Sequence, residues 1–241
     1  MNMQLIPFIT LFSLMLISPS AFAAEPIIPD FEATYDLTRA GITYGENKRT
    51  FKRVDDGRYQ FESSTRSVGF AAFFIKDKIY EKSILRYSAD DNRLLPESYH
   101  YARSGKKERH VDLSFDRENN KVVNRVNDDP WVMEIPADAL DKLSYQLQIM
   151  LDAGEKTHFS YPIADGGKLK HYEIELVREE ALKTAIGDYQ TLVLRRKSGK
   201  RETTIWCAPA LNYLPIKIMQ REKDGGEYYA EIKKLKGMKR D

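Results

Sequence analysis

Tyr172-Glu173-Ile174-Glu175-Leu176 alternates large apolar side chains with glutamates without a break. Side chains of a strand point to opposite faces in turn, so this pattern builds a strand with one buried face and one wet face. The same rhythm recurs along the chain. Phe31, Ala33, Tyr35 and Leu37 carry it near the start, Tyr59 and Phe61 after the turn signal Asp55-Asp56-Gly57. Val111, Leu113 and Phe115 carry it in the middle, and Tyr228, Ala230 and Ile232 near the end. Between these runs sit Ser104-Gly105, Asp165-Gly166-Gly167, Ser198-Gly199 and Asp224-Gly225-Gly226. Glycine accepts the positive φ of tight turns, and strands joined by tight turns are antiparallel neighbours. The fold class that follows is mainly β: a curved antiparallel meander sheet or half-barrel.

One segment departs from the rhythm. In DALDKLSYQLQIMLDAG, residues 138–154, Leu140, Leu143, Leu147 and Met150 fall on one helical face, widened by Leu151. Asp138 suits the N-cap, Asp141 the first turn, and Gly154 the C-terminal stop. The spacing predicts one amphipathic helix of three to four turns, packed on the sheet or plugging a barrel mouth, with Gln148 on its exposed side.

The ends of the chain bound where it works. Residues 1–23 contain no charged side chain, and Leu5–Ile17 is a largely apolar run of thirteen residues, interrupted at Pro7 and followed by Ala21-Phe22-Ala23. This reads as a secretory signal peptide cleaved after Ala23, too short to span a bilayer. Residues 24–241 then form a single β-rich domain with a basic C-terminal tail, exported to the periplasm and without a transmembrane span. Across the chain, 38 basic and 36 acidic side chains nearly cancel, which gives no case for nucleic acid. The single cysteine, Cys207, allows no intramolecular disulfide and reads as a small buried apolar residue.

Catalytic and metal chemistry find no motif. The four histidines are scattered without ligand spacing, and no nucleophile elbow or phosphate loop is present. The expectation is therefore a protein with no catalytic residues, no metal and no cofactor. Two features remain. Gly69-Phe70-Ala71-Ala72-Phe73-Phe74-Ile75 is apolar at every position, so as a strand it must be covered on both faces. Phe70, Phe73, Phe74 and Ile75, joined by Trp206, are the candidate lining of a site for a lipid or other greasy ligand. Arg195, Arg196, Lys197, Lys200 and Arg201 cluster around the Ser198-Gly199 turn, and Lys233, Lys234, Lys236, Lys239 and Arg240 near the C-terminus. The first cluster is the candidate contact with an anionic surface.

Several of these residues also carry a resemblance. The Tyr35 strand, Ser67-Val68-Gly69-Phe70, Leu95-Pro96-Glu97-Ser98-Tyr99, Asp141-Lys142-Leu143-Ser144, Ile205-Trp206-Cys207-Ala208-Pro209 and Tyr213-Leu214-Pro215-Ile216-Lys217-Ile218 occur in that order. So arranged, the chain resembles the DUF3108 family of exported bacterial proteins. The resemblance implies an envelope location and a β-rich fold, and brings no catalytic residues. The expected architecture is similar in outline to half-barrel lipoprotein carriers. The leading expectation is a non-enzymatic periplasmic protein holding a lipid or hydrophobic envelope component in a β cavity. The alternative is an interaction or scaffold module with a fully packed core, and an enzyme ranks last.

Overall fold

A computed structural model describes residues 28–74, 76–105, 107–127 and 129–238. The segment read as a signal peptide with its expected cleavage point, Ile75, Lys239 and Arg240 lie outside them. From the chain start run β1 (Phe31–Arg39), β2 (Ile42–Arg53), β3 (Arg58–Ser67), β4 (Lys78–Ser88) and β5 (Arg93–Ser104). β6 (Arg109–Asp116), β7 (Lys121–Val126), β8 (Asp129–Glu134) and the two-residue β9 (Leu140–Asp141) follow. After the helix α1 (Tyr145–Asp152) come β10 (His158–Ala164), β11 (Leu169–Thr184), β12 (Gly187–Ser198), β13 (Arg201–Ala208), β14 (Leu214–Arg221) and β15 (Glu227–Lys236).

All fifteen strands belong to one sheet, in the order β8-β7-β6-β5-β4-β3-β2-β1-β15-β14-β13-β12-β11-β10-β9. It consists of two meanders stitched together where β1 pairs antiparallel with β15. The lysines read as a tail, Lys233, Lys234 and Lys236, thus belong to a central strand, with Lys233 paired to Asp36 at 2.8 Å. The sheet curls into a barrel-like shell. Its far strands meet across the interior where Gly167, in the β10–β11 turn, donates its N–H to Asn124 Oδ1 at 3.1 Å and packs on the Trp131 ring.

The helix fills the shell. Leu143, Leu147 and Met150 are buried against Phe51, Phe61 and Leu85 of the first meander. On the other side Ile149 and Ala153 pack with Phe159, Ile174, Leu194 and Cys207 of the second. The helix is shorter than its spacing suggests, because Leu140–Asp141 pairs in parallel with Ile163–Ala164. Its cap is Asp141 and not Asp138. Asp141 Oδ1 accepts the N–H groups of Leu143 and Ser144, at 2.7 and 2.8 Å. Ser144 Oγ in return accepts the Asp141 N–H, a reciprocal cap. Asp138 instead binds Arg93 at 2.6 Å. Gly154 lies beyond the helix without a positive φ; a Cβ there would come within 2.7 Å of the Tyr213 hydroxyl. Among the described residues no helix is long and apolar enough to cross a membrane.

Candidate functional site

The register of the first meander sorts the inner face into layers. Phe31, Phe51 and Phe61 stand side by side across β1–β3 and continue into Ser83 and Tyr99. These aromatic rings touch one another, with Phe31 and Phe51 centroids 5.9 Å apart. One pleat further along, the row is Ala33, Arg49, Ser63, Glu81 and Tyr101, and beyond it Tyr35, Asn47, Thr65, Ile79 and Arg103. The interior is therefore apolar at depth and polar toward one end. That end carries the β1–β2, β3–β4, β5–β6, β10–β11, β12–β13 and β14–β15 turns, because alternate turns of a meander share an end.

Arg49 is the centre of the polar layer. Its guanidinium donates to Asn47 Oδ1 at 2.9 Å and Gln146 Oε1 at 2.7 Å, and lies 4.9 Å from the Tyr35 ring centroid. Burial pushes the Tyr35 hydroxyl up to about 12, with Arg49 pulling the other way. Arg196 enters from the second meander, stacked over Tyr172 at 3.9 Å and donating to Thr203 Oγ1 at 3.2 Å. Tyr172 meets Tyr145 edge-on, 5.2 Å between centroids. Burial raises the Tyr145 hydroxyl, and Arg196 and Arg49 both act against that rise.

Next to this layer, a recess of about 430 Å³ opens between β5, β6 and the β10–β11 turn, lined by Tyr99, Arg103, Arg109, Lys142, Lys168 and Lys170 among others. Asp165 binds Lys170 and lies 3.6 Å from Lys142, while Asp77 binds Arg103. Under the recess, Tyr99 donates to Glu81 at 2.8 Å. Burial and the carboxylates of Glu81 and Asp141 hold the Tyr99 hydroxyl well above the usual range.

The expected ligand-lining residues are not gathered in this shell. Gly69–Phe73 is a 3₁₀ turn between β3 and β4, not a strand, and it is not covered by the helix. Gly69 takes φ +60 straight after the extended Val68, which turns the chain out of the sheet. Phe70, Phe73 and Phe74 are 78%, 78% and 74% exposed, with Phe70 and Phe74 centroids 5.1 Å apart. Trp206 sits on the outer face of β13, buried with Val193 and Met219, its Nε1 donating to Glu180. Among the described residues, Phe70, Phe73, Phe74 and Trp206 therefore line no common interior pocket, and the three phenylalanines form an aromatic tip outside the shell.

The basic hairpin also divides. Arg195 pairs with Glu175 at 2.6 Å and Arg201 with Glu222 at 2.7 Å, Lys197 and Lys200 are exposed, and Arg196 turns inward. Cys207 is fully buried, and burial pushes its thiol up. Arg49 carried no motif. The signal available was its parity: Asn47, Arg49 and Phe51 share a face, and Phe51 is core.

The family described as "Protein of unknown function (DUF3108)" matches residues 30–233. The chain belongs to the DUF3108 family. Among solved structures, this DUF3108 chain is similar to a β-barrel-like protein of domain of unknown function DUF1849 from Brucella abortus. The two share 11% identity and a TM-score of 0.57, over 88% of this chain and 98% of the other. A provisionally assigned lipoprotein from Parabacteroides distasonis matches at 11% identity and TM-score 0.35, over 88% and 97%. A provisionally assigned exported protein with a YmcC-like fold from Bacteroides fragilis matches at 11% and 0.33, over 86% and 95%. No curated protein matches the chain. The first of these likenesses supports the barrel-like fold.

Proposed function

We propose that this DUF3108 protein is a non-enzymatic module of the bacterial envelope that docks on a lipid surface through its Phe70–Phe73–Phe74 tip. The observation that carries the reading is the tip itself. Three phenylalanines of one short turn stand about three-quarters exposed, with the Phe73 and Phe74 rings both set against Phe70. Burying a phenylalanine side chain contributes about 1.5–3 kcal/mol, so three together make a useful interfacial anchor. Lys76 and Lys78 follow the turn directly and are exposed, where each cation near an anionic surface adds about 1 kcal/mol. The leader-like Leu5–Ile17 run supports export to a compartment where such surfaces are met. The helix packed into apolar clusters on both sides, and the outward placement of the phenylalanines, favour a docking module over a carrier with an internal cavity.

Vesicle flotation tests this. The purified protein should float with phosphatidylglycerol-containing vesicles, and the triple variant Phe70→Ser/Phe73→Ser/Phe74→Ser should stay behind while melting normally. Equal flotation of both proteins, or none of either, would overturn docking through the tip.

A further inference from the structure

Two arginines in the polar layer lack what buried arginines ordinarily have. Arg49 and Arg196 are both partly buried, and neither meets a carboxylate among the described residues. The Arg196 Nε is fully shielded and has no hydrogen-bond partner, unlike every other buried side-chain nitrogen or oxygen among the described residues. A guanidinium removed from water without a counter-ion is costly, and proteins normally satisfy it with paired acceptors. Here the partners are neutral amides, a threonine hydroxyl and aromatic faces.

The two side chains belong to one contact chain across the mouth. Arg49 binds Gln146, the preceding residue is Tyr145, Tyr145 meets Tyr172, and Tyr172 carries Arg196. They thus approach the N-terminal end of α1 from opposite walls. A carboxylate of this layer, Glu81, already accepts the Tyr99 hydroxyl and forms no ion pair among the described residues. Guanidinium groups offer forked donors that match the oxygens of phosphate-like groups.

We propose that Arg49 and Arg196 are the two arms of an oxyanion site beside Tyr145, taking a phosphate group, either free or as part of a lipid head group. The site stands apart from the docking reading, since it uses no residue of the phenylalanine tip.

Calorimetry and thermal melting with inorganic phosphate, and flotation with phosphatidylglycerol against phosphatidylcholine vesicles, test it in two arms. Arg49→Gln and Arg196→Gln should each weaken binding about tenfold or more in at least one arm, as loss of a charged hydrogen-bond donor does. Arg195→Gln, on the outside, should bind as the parent does. Without any anion present, Arg196→Gln should melt no lower than the parent, because a shielded Nε donor without a partner has been removed. Should that variant not fold, Arg49→Gln carries the same test from the opposite wall. Response to phosphate identifies the free anion as sufficient; response to vesicles alone identifies the head group. Loss of flotation in the triple phenylalanine variant with phosphate binding intact would support docking through the tip and leave this site standing. Binding in neither arm, or binding unchanged in both arginine variants, overturns the site.

Discussion

Gln148 Oε1 accepts the main-chain N–H of Leu94 at 2.9 Å, and its amide nitrogen donates to the Asn92 carbonyl at 3.1 Å. A glutamine of the helix thus completes the backbone pairing of β5 from inside the shell, at zero exposure. The helical spacing of the leucines predicts Gln148 on a wet face. It is buried because the helix is surrounded by sheet on both sides, not laid on one.

The first prediction follows from that pair. Leu147→Ala should cost about 2–5 kcal/mol through lost burial and the cavity left behind. Gln148→Ala should also be costly, about 1–3 kcal/mol or more, because it strands the shielded Leu94 N–H. Urea midpoints of both variants should fall. A Gln148→Ala midpoint equal to the parent's would show that water replaces the amide there.

Asp141 sets a pH dependence. Burial raises its carboxyl from 3.8 to about 6, opposed by hydrogen bonds from Ser144, Ser83 and Leu143. A raised folded value means that the native protein keeps a proton the unfolded chain has already released. Stability should then fall as pH rises from 3.8 to about 6, by about 3 kcal/mol, and level off above. Asp141→Asn stays neutral and keeps an acceptor for the Leu143 and Ser144 N–H groups, so it should flatten that slope. An unchanged slope in this variant would move the titration to another group.

How much of this was legible follows from contrast between faces. Tyr172-Glu173-Ile174-Glu175-Leu176 declares its buried side because the other side is charged, and Ile174 is buried. Lys48-Arg49-Thr50 offers no such contrast, so the inward turn of Arg49 could be found only by counting from Phe51. Leu140 fits the helical spacing of Leu143 and Leu147, yet belongs to a strand, because its partner β10 lies later in the chain. Phe70–Phe74 has no polar member at all, and an unbroken apolar run carries no orientation. The strands and the docked stripe were thus readable; the polar layer and the outward tip depended on tertiary neighbours.

Closure of the shell gives the third prediction. Gly167 has φ +104, and a Cβ on it would collide with the Trp131 ring. Gly167→Ala should therefore push the β10–β11 turn off β8 and break the bond to Asn124. Expected outcomes are a lower melting temperature and a changed Trp131 fluorescence. In a Trp131→Ala background the substitution should cost less, because the collision is gone while the φ strain remains. Additive losses in the double variant would mean that the turn does not rest on the indole.

The phenylalanine tip yields the last prediction, and it reverses what the sequence suggests. Read as a strand, the run would put one of Phe73 and Phe74 in the core, so that one truncation destabilises the fold. In the turn that forms, both rings face outward and rest mainly on Phe70. Phe73→Ser and Phe74→Ser should each change unfolding free energy by no more than about 0.5 kcal/mol. Phe61→Ala, 1% exposed in the aromatic layer below, should cost about 3–5 kcal/mol. Vesicle flotation should show the opposite ranking, with both tip variants weakened and Phe61→Ala, where still folded, retained. A tip variant that unfolds readily but still floats would return the run to the core and remove the surface on which docking rests.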